Sequence, residues 1–156
     1  MKTSVKVAIL TAIVTIVAFP LEAAGPLGSW WASIWPWGQA PHGPAPTGLQ
    51  VPLFMVLGVL EAVGLGLAIS FLVFGWPVVK RVAATRPGAM AMYVSAAWVL
   101  GNWWIHDSLH FTNSTDPGSL LAIEYAFHVT LILAGATLCF QLFKSGTTGR
   151  LAPNAA

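Results

Sequence analysis

Charge is what this sequence has least of. Lys, Arg, Asp and Glu together make 8% of its 156 residues, against roughly 25% in a typical soluble domain. So few charges cannot solvate a globular surface, and a bilayer suits the chain better as a solvent. The seven basic and five acidic side chains leave a formal charge of +2. The basic residues nowhere combine with a base-reading motif, so a nucleic-acid partner is excluded. Cysteine is nearly absent too. Cys139, the one cysteine, lies inside an apolar run. An intrachain disulfide and a CxxC redox or zinc pair are thereby excluded, and a small packing residue is what remains. No fixed-period repeat is present.

What is there is apolar: 56% of the chain. The fold expected is an all-α membrane protein with four transmembrane helices and a Trp/Pro-rich outer loop carrying a short interfacial helix. It is a single membrane domain over 1–156, with helices at about 5–21, 51–76, 88–111 and 119–143, an outer loop at 25–50 and a disordered tail at 145–156.

The first run, Val7 to Leu21, follows Lys2 and Lys6 and precedes the small residues Ala23, Ala24 and Gly25. That pattern suits a cleaved signal peptide or an uncleaved first helix, and the helix is the reading favoured here. Pro20 bends or ends it. The loop that follows holds Pro26, Pro36, Pro41, Pro44 and Pro46 among Trp30, Trp31, Trp35 and Trp37. The prolines exclude a long regular element, and tryptophan prefers the headgroup level. Ser29 to Trp35 reads as a short interfacial helix with Ser29 as its N-cap. His42 lies further along this loop. It is an exposed loop histidine or, functionally, a lid residue.

The second span carries Pro52 in its first turn and the small residues Gly58, Ala62, Gly64, Gly66 and Ala68, which let helices approach closely. Glu61 interrupts it about 15 Å from the Val51 end, near mid-bilayer. Pro77 and the cations Lys80, Arg81 and Arg86 close it. In the third span Asn102, His106 and His110 recur every four residues, so they share a face. Asp116-Pro117-Gly118 breaks the chain. Glu124 and His128, again four apart, share a face of the last span.

Every Lys and Arg falls at the N-terminus, in the 77–87 connection or at the C-terminus. With four spans all three segments lie on one side, and the positive-inside rule makes both termini cytoplasmic. The expected location is a bacterial inner membrane with the polar groups facing its outer side. The short 112–118 turn makes the last two helices antiparallel neighbours. His106, His110, Glu124 and His128 then come to one seam, His106 and Glu124 at similar depth and His128 about one turn deeper, at about the depth of Glu61.

A central Asp, Lys or Arg costs roughly 2.5–3.5 kcal/mol on insertion scales, so intramembrane ionisable groups need partners. A metal neutralises carboxylates and satisfies imidazoles at once, and HxxxH with ExxxH is how helix-bundle sites are built. His106, His110, Glu124 and His128 are the expected ligands, with Glu61 a further ligand or proton carrier. Asp107 and Asn102 are expected to support them by hydrogen bonds. The nitrogen-rich set suits copper, zinc or iron rather than calcium or magnesium. The plain alternative is a metal-free polar network that holds the helices in register.

The segment His106-Asp107-Ser108-Leu109-His110 resembles, in its HxxxH spacing, the first histidine box of membrane desaturases and hydroxylases. Those families carry further boxes with paired histidines. This chain has no HH pair, so the resemblance does not imply a complete di-iron site here. Three functions compete. The first is a metal-binding membrane protein, as a subunit of an oxidoreductase. The second is a haem or pigment protein using a histidine from each of two helices. The third is a non-catalytic accessory subunit. The partners expected are the lipid bilayer and other membrane subunits or a second copy of the chain. A proton path through Glu61, Glu124 and His128 ranks last, because the inner half of the helices has no ionisable residue to continue it.

Overall fold

The structure, a computed structural model, describes residues 1–21, 25–34, 47–112 and 117–150. Among the described residues there are helices and turns and no strand. Within these residues seven α-helices follow one another: α1 (Thr3–Leu21), α2 (Gly28–Ser33), α3 (Gln50–Phe74), α4 (Trp76–Val82), α5 (Arg86–Thr112), α6 (Pro117–Glu124) and α7 (Thr130–Arg150). A π-helical turn, Tyr125–Val129, joins α6 to α7 without a break. Helix α7 continues to Arg150, past the end expected near Phe143. In α2 the residue preceding the first turn is Leu27, with no side-chain cap. Ser29 therefore lies inside the helix and is not its N-cap. The Leu27 N–H instead donates to the Pro20 carbonyl at 2.8 Å, tying α2 to the end of α1.

Among the described residues three helical stretches are long and apolar enough to cross a membrane: Thr3–Leu21, Gln50–Phe74 and Pro117–Gly146. Helix α5 matches them in length, at 27 residues, or about 40 Å. Its C-terminal half, with Asn102, His106, Asp107 and His110, is too polar for it to match them in hydropathy.

The long helices pack in chain order, α1 on α3, α3 on α5 and α5 on α7. All three seams are antiparallel. Ser70 of α3 lies beside Val7 and Thr11 of α1, Tyr93 of α5 reaches the Leu72 carbonyl, and Trp98 reaches Thr130. The α1–α3 and α3–α5 seams are close because glycines stand in them. A Cβ on Gly66 would meet the Thr11 carbonyl oxygen at 2.7 Å, and one on Gly64 would meet the Leu100 carbonyl oxygen at 2.7 Å. Hydroxyls fill the α1–α3 contact. Thr11 Oγ1 and Ser70 Oγ lie 2.9 Å apart, and the Thr15 hydroxyl donates to the Thr11 carbonyl at 2.8 Å. Toward the C-terminal end of α5 Trp104 packs on Ala18 and Ala62 and donates its indole N–H to the Ala18 carbonyl at 3.3 Å. Trp31 of α2 tilts against Trp104 at 6.0 Å. Helix α5 is therefore held on one face by α1 and α3 and offers the other to α7.

Candidate metal centre

Helical geometry puts Asn102, His106 and His110 on the α5 face that meets α7. Glu124 closes α6, and His128 lies one turn on, inside the π-turn. Because the seam is antiparallel, the two sets meet. His110 Nε2 lies 3.0 Å from His106 Nε2 and 3.1 Å from Glu124 Oε1. The second oxygen of Glu124 lies 2.6 Å from His128 Nδ1. The His106 and His128 rings stand edge to face with centroids 5.0 Å apart. His106, Glu124 and His128 each bring one ligand atom to within 4.8 Å of the others'. Four-coordinate zinc holds nitrogen and oxygen at roughly 2.0–2.2 Å, so its ligand atoms stand somewhat over 3 Å from one another.

Asp107 finishes the chain of contacts. Its Oδ1 lies 3.2 Å from His106 Nδ1. A proton on that nitrogen leaves His106 Nε2 with its lone pair turned toward the cluster. A carboxylate behind an imidazole is the usual way in which a metal-bound histidine is fixed in tautomer and made more basic. Around these groups the surroundings are aromatic. His106 touches Phe127 at 5.3 Å and Trp103 at 6.0 Å between ring centroids. The site is buried at His106 and partly exposed at His110, Glu124 and His128. The His106 side chain is 9% exposed, those of Glu124 and His128 44% and 45%.

The π-turn shapes this seam, and helical spacing alone did not reveal it. A π-turn is wider than an α-turn and re-aims the side chains that follow, which is why such turns recur at functional sites. Here it spans Tyr125–Val129, so it begins just after Glu124 and contains His128. Thr130 anchors it. The hydroxyl donates to the Ala126 carbonyl and accepts the Trp98 indole N–H at 3.0 Å. Phe127, within the turn, stacks on Trp98 at 5.4 Å. Trp98, Phe127 and Thr130 are thus positioning residues that the sequence reading missed. The one available signal was Thr130, since a helical threonine often bonds the carbonyl four residues back and bends its helix.

Glu61 is buried on α3, 7% exposed, and is not in the group whose ligand atoms converge. Asn102 is 1% exposed, and its amide nitrogen donates to the Trp98 and Val99 carbonyls of its own helix at 2.7 and 3.3 Å. It closes the helix backbone one turn below His106. His42 lies outside the described residues.

No protein-family model, curated protein or solved structure matches this chain.

Proposed function

We propose that this chain is an integral membrane protein that binds a transition metal at the α5–α7 seam. His106, His110, Glu124 and His128 are its ligands, and Asp107 orients His106. The observation that carries the reading is the meeting of three imidazoles and a carboxylate from two helices, with Asp107 behind one of them. A purely structural network would not need four titratable groups to face one another at this density. Lone ionisable groups at membrane depth are costly and cluster where they serve a function. Three nitrogens and a carboxylate suit copper, zinc or iron. A redox-active metal would fit a subunit of a membrane oxidoreductase.

In this reading α5 is a fourth span between α3 and α7. Its polar half is sheltered by the site and by its neighbours. The cations Lys2, Lys6, Lys80, Arg81, Arg86 and Lys144 gather at one end of the antiparallel row, and the positive-inside rule makes that end cytoplasmic. The cluster then faces the outer side. Glu61 has no ligand role here. Haem is disfavoured by the spacing of the rings. Two axial imidazoles stand on opposite faces of a macrocycle, whereas His106 and His128 meet edge to face at 5.0 Å.

Elemental analysis with a visible spectrum on detergent-purified protein tests the reading. About one copper, zinc or iron per chain is expected, as one four-ligand site requires. A variant carrying both His106→Ala and His128→Ala should lose the metal and stay helical. Protein that holds no stoichiometric metal after exposure to each ion, or a double variant that keeps it, sinks the proposal. An intense haem or pigment band would replace it.

A further inference from the structure

At the opposite end of the helix row, α4 folds back against the start of α5 and leaves a pocket of about 510 Å³. Trp76, Lys80, Thr85 and Arg86 line it, with the small residues Ala83 and Ala84 between them. We infer that this pocket binds the phosphate of an anionic phospholipid headgroup.

The charge argues first. No acidic residue occurs between Glu61 and Asp107, so the connection that forms the pocket is wholly cationic. Among the described residues neither Lys80 nor Arg86 makes an ion pair. Thr85 Oγ1 accepts the Gly88 N–H at 3.2 Å, which leaves the hydroxyl proton free to donate. An ammonium, a guanidinium and a hydroxyl are together a donor set for phosphate oxygens.

The pocket is also preformed. Val79 of α4 is buried against Ala89 and Met92 of α5, and Trp76 packs edge-on against Tyr93 at 5.4 Å. These contacts hold α4 in place whether or not a ligand is bound. Its volume lies within the usual range for small-molecule sites, roughly 300–1,000 Å³.

The surroundings favour a lipid over a soluble anion, and this step rests on the membrane reading above. Val78, Val82 and Met90 are exposed beside the pocket, which gives acyl chains an apolar surface. Trp76 supplies an indole at the level where headgroup meets hydrocarbon. Basic segments just inside a membrane attract anionic lipid in general. A cavity adds a particular place for one headgroup.

Native mass spectrometry of the full chain from nanodiscs of phosphatidylcholine doped with phosphatidylglycerol tests this. Selective retention of phosphatidylglycerol is expected, falling by about tenfold or more when Lys80→Gln and Arg86→Gln remove both pocket cations. Ala84→Trp, which fills the pocket and keeps the charges, should lose the lipid equally. Arg81→Gln removes a neighbouring charge outside the lining and should retain it. Equal retention of the two lipids, or an equal loss in Arg81→Gln, overturns the proposal. So does displacement of the lipid by millimolar inorganic phosphate, which marks a soluble-anion site. Circular dichroism confirms that each variant is folded, and none of them touches the metal cluster, so its metal content serves as an independent control.

Discussion

The two faces of α5 are built from different chemistry. Toward α1 and α3 it presents Gly101 and Trp104, against Gly64, Ala68, Ala62 and Ala18. That side is small, dry and closely packed, and its polar contacts are short hydroxyl or indole bonds to backbone. Toward α7 it presents Trp98, His106 and His110, against Phe127, His128, Glu124 and Thr130. That side is aromatic and titratable, with half-exposed groups. In lipid, helices associate through close packing because tails are as apolar as leucine. The first face does that work. The second gives up tight packing for a cluster of donor atoms. The contrast separates a face that packs closely from a face where donor atoms gather, and substitutions should divide accordingly.

The largest expected effect is on the binding face. Glu124→Gln removes the one carboxylate that touches both His110 and His128. Metal affinity should fall by more than the roughly 10- to 100-fold that outer partners cost, with thermal stability of the metal-free protein little changed. Competition with a chromophoric chelator measures the first and circular dichroism melting the second. Unaltered affinity would remove Glu124 from the ligand set.

Asp107→Asn comes next and asks how far the site depends on support. The outer carboxylate is lost while all four donors remain, so affinity should drop by about 10- to 100-fold. A change in affinity as large as that of Glu124→Gln would place Asp107 among the ligands instead.

On the packing face Gly101→Leu drives a side chain into Ala68, whose Cβ already lies 2.7 Å from the position a Cβ would take. Overpacking of this kind costs about 1–3 kcal/mol. The melting temperature should fall while the metal content of the folded fraction holds. If metal is lost in proportion to a folded, helical sample, the two faces are coupled and the contrast drawn above fails.

The smallest effect belongs to Ser70→Ala. It removes hydroxyl contacts to Thr11 and Val7, and membrane hydrogen bonds average about 0.6 kcal/mol. Reversible unfolding in mixed micelles should register that much and no change in metal. A loss of several-fold that amount would mean that the α1–α3 hydroxyls do more than close a seam.

Much of the site was legible because it depends on short-range rules. His106 and His110, and Glu124 and His128, are four apart. A breaker at 116–118 leaves too little chain for the two helices to part. Composition alone dictates helices in an apolar medium, since a lipid-facing backbone must satisfy its own hydrogen bonds. These conclusions need nothing beyond the periodicity of a helix and the length of a turn.

Other features required the fold. The depth of Glu61 suggested a place beside His128, but depth does not fix rotation about the helix axis. Glu61 is buried on α3 and is not among the residues whose ligand atoms converge. The π-turn arises where Thr130 and Phe127 engage Trp98, a residue more than 25 positions earlier in the chain. The pocket beneath α4 exists because Val79 docks on Ala89 and Met92. Sequence by itself determined the helices, their apolar surroundings and the pairing of the two histidine-bearing segments, because these follow from local periodicity and chain length. Tertiary structure alone decided which polar groups face one another, because that depends on helix rotation and on contacts between residues far apart in the chain.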